Sequence, residues 1–342
     1  MHRMIMSLLL SLFLVLISGK KIIAMLRKLH FGQTIYDLAP EAHKSKQGTP
    51  IMGGLMVAGA VLICALLLHP RQWNGKWDFM LALLAVSFLS MLVGFADDFT
   101  KAVLKRSMGL TGWQKIFGQV FVATAFTLYC YFNPYVGSKI VVPLLNVEWD
   151  LGIWYIPLMI LTIIFMVNSA NLQDGLDGLL SSVSSVGSAG WGLMALFFLQ
   201  AVSLKYDSRL DGNYYSIAIF AMALCGAEMG FMRFNHYPAK VFMGDTGSMF
   251  VGGAMVGMAL LLRQPLMLLL INFTMVMSSA SVIIQRTYFK LTHGKRIFKM
   301  SPIHHHFELC GYTETEICTL YATVTAVLSL IAILSLNGLR LV

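Results

Sequence analysis

Two adjacent aspartates, Asp97 and Asp98 in "FADDFTK", close an apolar stretch, where a carboxylate without a partner is costly. Adjacent residues on a helix point about 100° apart. The pair is therefore not expected to chelate one ion in the same manner: one is placed to hold a cation, the other to pair with Lys101. A solvated helix end is the plain alternative, although an acid is disfavoured there by the helix dipole. Asp174 and Asp177, in "NLQDGLDG", are three residues apart and share a helical face. The interleaved glycines let backbone approach a phosphate or a ring. An EF-hand is excluded, because the further ligands and the closing Glu are missing. Asp245, in "VFMGDTGS", precedes another apolar run, whose first amides favour an anion. A carboxylate there is placed to hold a magnesium ion bridging that anion. Phe242 beside it is either core packing or a stacking platform for a base.

Basic and histidine-bearing segments complete the set. "KQGTPIMGG" offers Lys46 followed by Gly48, Gly53 and Gly54; it is not a Walker A loop, and a helix start with Pro50 near the first turn is the simpler reading. "SPIHHHFELCG" predicts a short helix, with Ser301 as N-cap, Pro302 at the first position and Gly311 just past the end. On it the rings of His304, His305 and His306 fan over roughly 200°, too wide to close on one zinc ion. His305 and Glu308, three apart, are placed to touch.

The elements that must position these groups are membrane spans. The 342 residues are 57% hydrophobic and only 12% charged, with a mean hydropathy of +0.72. A soluble protein carries roughly 25% charged residues. Ten apolar segments of helix-spanning length lie at roughly 4–26, 50–69, 79–96, 113–132, 151–168, 178–200, 214–231, 247–262, 266–289 and 315–337. The first lacks a small-x-small cleavage site and reads as a span, not a signal peptide. Segment 134–150 alternates enough for a small hairpin. The five cysteines show neither zinc spacing nor a disulfide framework.

The connections after odd-numbered spans hold 17 of the 25 Lys and Arg residues, which makes that side cytoplasmic and puts both termini outside. The net charge of +9 then reflects cytoplasmic loops facing anionic headgroups, not nucleic acid. All the polar clusters fall on this side. Five carboxylates, several lysines and glycine-rich turns at one membrane edge suit a phosphate-rich substrate with Mg²⁺, and a site at the bilayer edge suits a lipid reactant.

On "GTPIMGG", "GFADDFTK", "NLQDGLDGL", "AKVFMGDTGS" and "SPIHHHFE", in this order along nearly the whole chain, the sequence resembles the polyprenyl-phosphate N-acetylhexosamine-1-phosphate transferase superfamily. The "HHHFE" stretch points to its muramyl-pentapeptide branch. The resemblance implies an all-α polytopic membrane protein, a single integral membrane transferase domain over residues 1–342. It implies ten transmembrane helices, periplasmic or extracellular termini and an active site on the cytoplasmic face of the bacterial plasma membrane. It further implies transfer of phospho-MurNAc-pentapeptide from UDP-MurNAc-pentapeptide to undecaprenyl phosphate, giving lipid I and UMP, with Mg²⁺ as cofactor and a homodimer as assembly.

Residue by residue, the resemblance implies that Asp97 or Asp98 deprotonates the lipid phosphate, that Lys101 and Lys115 lie near the phosphates, and that Asp245 ligates the metal. It makes Asp174 an acid of the catalytic centre. Gly175, Leu176, Asp177 and Phe242 match a uracil pocket, with Lys46, Asn171 and Asn235 alongside. Gln285, His304, His305 and His306 match contacts to nucleotide and phosphate. Gln173 and His236 depart from the pattern, where Thr and Ala are common. A direct displacement and a two-step route through an aspartyl-phosphate both remain open. The rival functions are a GlcNAc-1-phosphate transferase, which shares the acidic motifs but not "HHHFE", and a lipid flippase, which predicts inverted repeats and mid-span charges. No repeat is found, and Glu228 is the only clear mid-span acid.

Overall fold

Inside hydrocarbon every peptide N–H and C=O must be satisfied within its own segment, so long apolar runs become helices. The computed structural model describes residues 1–29, 48–70, 77–102, 109–143, 145, 147–203 and 208–336. Helix occupies every predicted interval: α1 (His2–Lys28), α2 (Gly54–Leu68), α3 (Phe79–Ala102), α4 (Gly112–Phe132), α5 (Tyr155–Gln173), α6 (Leu179–Ser203), α7 (Ser208–Asn235), α8 (Gly244–Leu261), α9 (Leu268–Ile271), α10 (Phe273–Leu291) and α12 (Glu314–Leu334). Between the last two lies the short α11 (Ile303–Glu308). The predicted hairpin is present as antiparallel β1 (Lys139–Val142) and β2 (Val147–Asp150). Arg263 at the end of α8 donates to Glu148 at 2.7 Å and ties the hairpin to the bundle.

Among the described residues, α1, α3 to α7 and α12 are long and apolar enough to cross a membrane. The chain is an all-α polytopic membrane protein. The ninth predicted interval, 266–289, is not one straight span. A 3₁₀ turn over Pro265–Met267 and the short α9 meet α10 at an angle of 91°. Asn272 sits at the break with φ −107° and ψ 26°, and its buried side-chain oxygen accepts a 3.0 Å hydrogen bond from Trp191 Nε1. A polar side chain serves there as the anchor of a corner.

Helix ends also differ from the expected ones. α3 continues past residue 96 to Ala102, so Asp97, Asp98 and Lys101 lie within the helix. Lys101 pairs with Asp97 four residues earlier, and Thr100 Oγ1 donates to the Ala96 carbonyl at 2.6 Å; both interactions extend the helix. α11 starts at Ile303, with Pro302 rather than Ser301 at the N-cap, while Gly311 adopts φ +101° as expected for a helix end.

α8 is the axis of the bundle. Every residue from Thr246 to Leu261 is buried. Enclosure removes the need for lipid-soluble side chains and lets glycine, alanine and methionine build the helix. Small residues bring backbones together where apolar lipid offers no hydrophobic drive. A Cβ at Gly253 would stand 2.8 Å from Ser90 Oγ, and one at Gly257 2.9 Å from Val86 Cγ1, so α3 lies directly on α8. Gly54 of α2 meets the Gly247 backbone in the same way. On the far side α1 lies against α7, where a Cβ at Gly230 would approach the Leu12 carbonyl oxygen to 2.9 Å.

The segment before α2 braces the segment before α8. The Phe242 amide donates to the Pro50 carbonyl at 2.8 Å, Gly53 to Phe242 at 2.8 Å and Gly54 to Met243 at 3.0 Å. "GTPIMGG" is thus a backbone clamp on "VFMGDTGS". Overpacking such a crossing costs about 1–3 kcal/mol. Gly54→Val is expected to lower the detergent-solubilised Tm by several degrees, whereas Gly59→Ala on the same helix, with open space around its Cβ, leaves it unchanged. Equal Tm values for the two variants would contradict this packing.

Candidate active site

Four helix ends meet at the Lys- and Arg-rich side. α3 presents Asp97 and Lys101 on one face, four residues apart, with Asp98 turned toward the start of α8. α4 begins with a complete capping box: Thr111 Oγ1 accepts from the Gln114 amide, while Gln114 Oε1 accepts from the Thr111 amide. That fixed start sets Lys115 in the first turn. α5 ends with Asn171 and delivers Asp174. α8 opens with Asp245 in its first turn.

Asp245 is the hub. Its Oδ2 accepts from Lys115 Nζ at 2.6 Å and from Lys101 Nζ at 3.2 Å, and its Oδ1 accepts from Asn171 Nδ2 at 2.7 Å. Asn171 also donates to Ser248 Oγ at 3.0 Å. Asp97 pairs with Lys101 at 2.5 Å and lies 3.6 Å from Lys115. The other Asp97 oxygen accepts from the Leu110 amide at 2.8 Å. That approach needs Gly109: at φ +64°, a Cβ there would sit 2.6 Å from Asp97 Oδ1.

Asp98 does a different job. Its Oδ2 accepts from the Thr246 amide at 2.8 Å and from Thr246 Oγ1 at 2.7 Å, and its Oδ1 from the Asp245 amide at 3.3 Å. A carboxylate of one helix thereby caps the first turn of another. One oxygen each from Asp97, Asp98 and Asp245 lie within 4.8 Å of one another. The roughly 100° between neighbouring residues therefore does not keep Asp97 and Asp98 apart, because α8 enters the angle between them. The expected pairing with Lys101 is present, and Asp97 is the member of the pair that makes it.

Asp174 follows the last residue of α5. Burial, followed by the charges of Asp245 and Asp98, pushes its carboxyl well above the ordinary range. Asp177 is buried; its Oδ2 accepts from the Ala239 amide, and its own amide donates to Glu314 Oε2, both at 2.8 Å. Asn235, also buried, accepts from Ser181 Oγ at 2.8 Å and donates to the Val241 carbonyl at 3.0 Å. Both side chains shape the loop that leads to Phe242, which packs half-buried on the core. Leu176 is buried in the same turn.

The histidine helix folds back over this turn. A Cβ at Gly175 would collide with His304 Nε2 and stand 3.3 Å from His305 Nε2, so glycine is required there. His304 is buried, and the His304 and His305 rings lie 4.4 Å apart. His305 Nδ1 meets Glu308 Oε2 at 2.5 Å, the contact expected from their spacing. His306 turns elsewhere: its Nδ1 accepts from the Lys299 amide at 3.0 Å and its ring packs on Phe298. Among the described residues, the converging group of possible metal ligands is the aspartate trio, and no histidine belongs to it.

Gln285 fastens the loop before that helix. Its Oε1 accepts from the Ile297 and Phe298 amides and its Nε2 donates to the Phe298 carbonyl, all at 3.0 Å. Lys46 lies outside the described residues. Thr246, Ser248, Gly109 and Glu314 joined the site without being foreseen. The first two sit inside "GDTGS", one and three residues after Asp245 on the same helix start, which is the signal that marks them.

The fold and the acid–lysine cluster define a polytopic membrane enzyme of the transferase class. Residues 80–263 match the family described as glycosyl transferase family 4, an interval that holds both aspartate pairs and Asp245. The chain is 38% identical to a phospho-N-acetylmuramoyl-pentapeptide-transferase of Clostridium kluyveri over 337 residues, 98% of this chain and 100% of the relative. A protein of that name from Halalkalibacterium halodurans is 39% identical over 96% of both chains. One from Thermoanaerobacter sp. is 40% identical over 98% of this chain and all of its own. The chain belongs to the phospho-N-acetylmuramoyl-pentapeptide-transferase family and is a multi-pass protein of the bacterial inner membrane.

Replacing Gln285 with Ala frees the Ile297 and Phe298 amides. Their hydrogen exchange should accelerate at least tenfold while the exchange of α8 amides stays as in the unaltered protein. Unchanged protection at residues 297 and 298 would show that the loop is held by other contacts.

Proposed function

We propose that the chain transfers phospho-MurNAc-pentapeptide from UDP-MurNAc-pentapeptide to undecaprenyl phosphate, releasing UMP and forming lipid I, with Mg²⁺ as cofactor. The observation that carries this reading is the convergence of Asp97, Asp98, Asp245, Lys101 and Lys115 at one helix-end cluster, within a chain of this family. The donor set fits Mg²⁺: three hard carboxylate oxygens lie within 4.8 Å of one another, beside the ammonium groups of Lys101 and Lys115. Asp245 would hold it, with Asp97 and Asp98 beside it, and when bound it would supply charge neutralisation to a pyrophosphate. The homodimer implied by the family likeness belongs to the same reading.

The protein's own groups do the rest. Lys101 and Lys115 exchange part of their contact with Asp245 for the donor's phosphate oxygens. Asp98, bonded to the start of α8, positions Asp245 and does not touch substrate. Phe242 and Gly175 border the space for the base, and His304 and His305 lie beside it over the 174–178 turn. An oxygen of the lipid phosphate forms a bond to the sugar-side phosphorus. The bond from that phosphorus to the bridging oxygen breaks, and UMP leaves with the electron pair. Any proton still on the lipid phosphate passes to Asp97. Because the second pKa of a phosphate ester is about 6, little of that proton remains at pH 7. Transfer is then mainly positioning and charge neutralisation.

Release of UMP from the two substrates with Mg²⁺ is the direct assay. Turnover with UDP-MurNAc-pentapeptide and none with UDP-GlcNAc is expected; the reverse would overturn the reading in favour of a GlcNAc-1-phosphate transferase. Asp97→Asn should lose most activity at pH 6 and recover as pH rises and the lipid phosphate deprotonates by itself. Recovery to full rate at high pH would eliminate an aspartyl nucleophile. Among the histidines, H304Q and H305Q should cut kcat/KM by at least tenfold and H306Q by less. Wild-type turnover and donor KM in all three would remove the triplet from the substrate site.

A further inference from the structure

A second cleft opens at the same end of the bundle, between α1 and α7, apart from the aspartate trio. It encloses about 620 Å³ and is lined by Leu16, Lys20, Ile23, Ala24, Arg27, Arg233, Phe234 and Lys240. That volume lies in the range of small-molecule sites. Four of the eight lining residues are cations and none is acidic. Among the described residues, none of the four takes part in an ion pair with a carboxylate, and all four are exposed.

The arrangement is more ordered than a general excess of positive charge at a helix end. The α1 members recur at intervals of four, three, one and three residues, which is a single stripe of the helix. That stripe faces α7, against which α1 is held by the Gly230 contact with Leu12 and by Gly19, where a Cβ would overlap the Phe234 ring. Leu16 and Ile23 supply an apolar wall, while Arg27, Arg233 and Lys240 gather where α1 and α7 end. Lys20, one turn deeper than Ala24, reaches the same rim by extending its chain along apolar surface. An apolar wall below and a ring of cations above, open at the edge of the bundle, is complementary to a lipid: acyl chain against the wall, phosphate at the rim. A soluble phosphate would leave the wall without a partner.

The geometry points to a binding site for the phosphate headgroup of an anionic phospholipid in the α1–α7 cleft, held by Lys20, Arg27, Arg233 and Lys240. It is separate from the aspartate cluster and does not rest on the transfer reaction. Its occupant would brace the outer helix α1 against α7, whose last residue, Asn235, bonds the loop that leads to Asp245.

The test uses the purified full chain in nanodiscs of phosphatidylglycerol or phosphatidylcholine, with native mass spectrometry of the lipid that stays bound after gentle extraction. About one phosphatidylglycerol per chain should persist, and phosphatidylcholine should not. The double variant Lys20→Gln/Arg233→Gln should retain it about tenfold less, since each cation near a headgroup contributes appreciably. Lys20→Arg/Arg233→Lys, which keeps the charge, should retain it as the unaltered protein does. An unchanged Tm and gel-filtration profile confirm that each variant is folded. Equal retention of the two lipids, or undiminished retention in the Gln variant, would overturn the site. Displacement by millimolar inorganic phosphate would assign it to a free anion, and displacement by equimolar undecaprenyl phosphate to the acceptor substrate; either result also refutes a phospholipid site.

Discussion

One carboxylate fixes the geometry on which everything else depends. Asp98, in the last two turns of α3, accepts the first amides of α8. The residue at the α8 N-cap is Met243, whose side chain makes no cap hydrogen bond. The amides of a helix start carry partial positive charge and find little water in the interior of a bundle. Only a partner from another helix satisfies them. This bond sets how far α8 stands along α3, and with it how far Asp245 stands from Asp97. Glycine at the crossings makes the distance attainable, and the lysines of α3 and α4 then hold the resulting crowd of negative charge together.

Around this cluster the polar residues divide by what they touch. Asp97, Asp245, Lys101 and Lys115 touch one another. Asp177, Asn235 and Gln285 bond backbone amides and carbonyls of neighbouring loops, and Asn235 also accepts from the Ser181 hydroxyl. His306 does likewise with Lys299, while His304 and His305 cover the glycine turn. Identical motif membership thus conceals two functions, handling charge and holding the loops that present it.

Much of this was legible in the sequence because membrane burial makes polar residues conspicuous. Asp97, Asp98, Asp174 and Asp245 stood out against apolar surroundings, and the bias of Lys and Arg placed them on one side. The His305–Glu308 contact followed from helical spacing alone. The partition between reacting and bracing residues did not follow, since it depends on which loop amide lies opposite each side chain. Nor did the role of "GTPIMGG": it read as basic charge followed by a helix start, yet the segment works through its backbone, pairing with residues 242 and 243. The corner at Asn272 was hidden because the hydropathy on either side of it is continuous.

The chain order of the contacts also constrains how the protein comes into being. Asp97 and Asp245 can meet once α8 is in the membrane, but the Asp177 amide bonds Glu314 and the glycine turn is roofed by His304 and His305. Those partners follow both α8 and α10 in the chain. A nascent chain halted before α11 therefore carries its acidic cluster without the histidines that cover the neighbouring turn, so the charged centre is laid down before its cover.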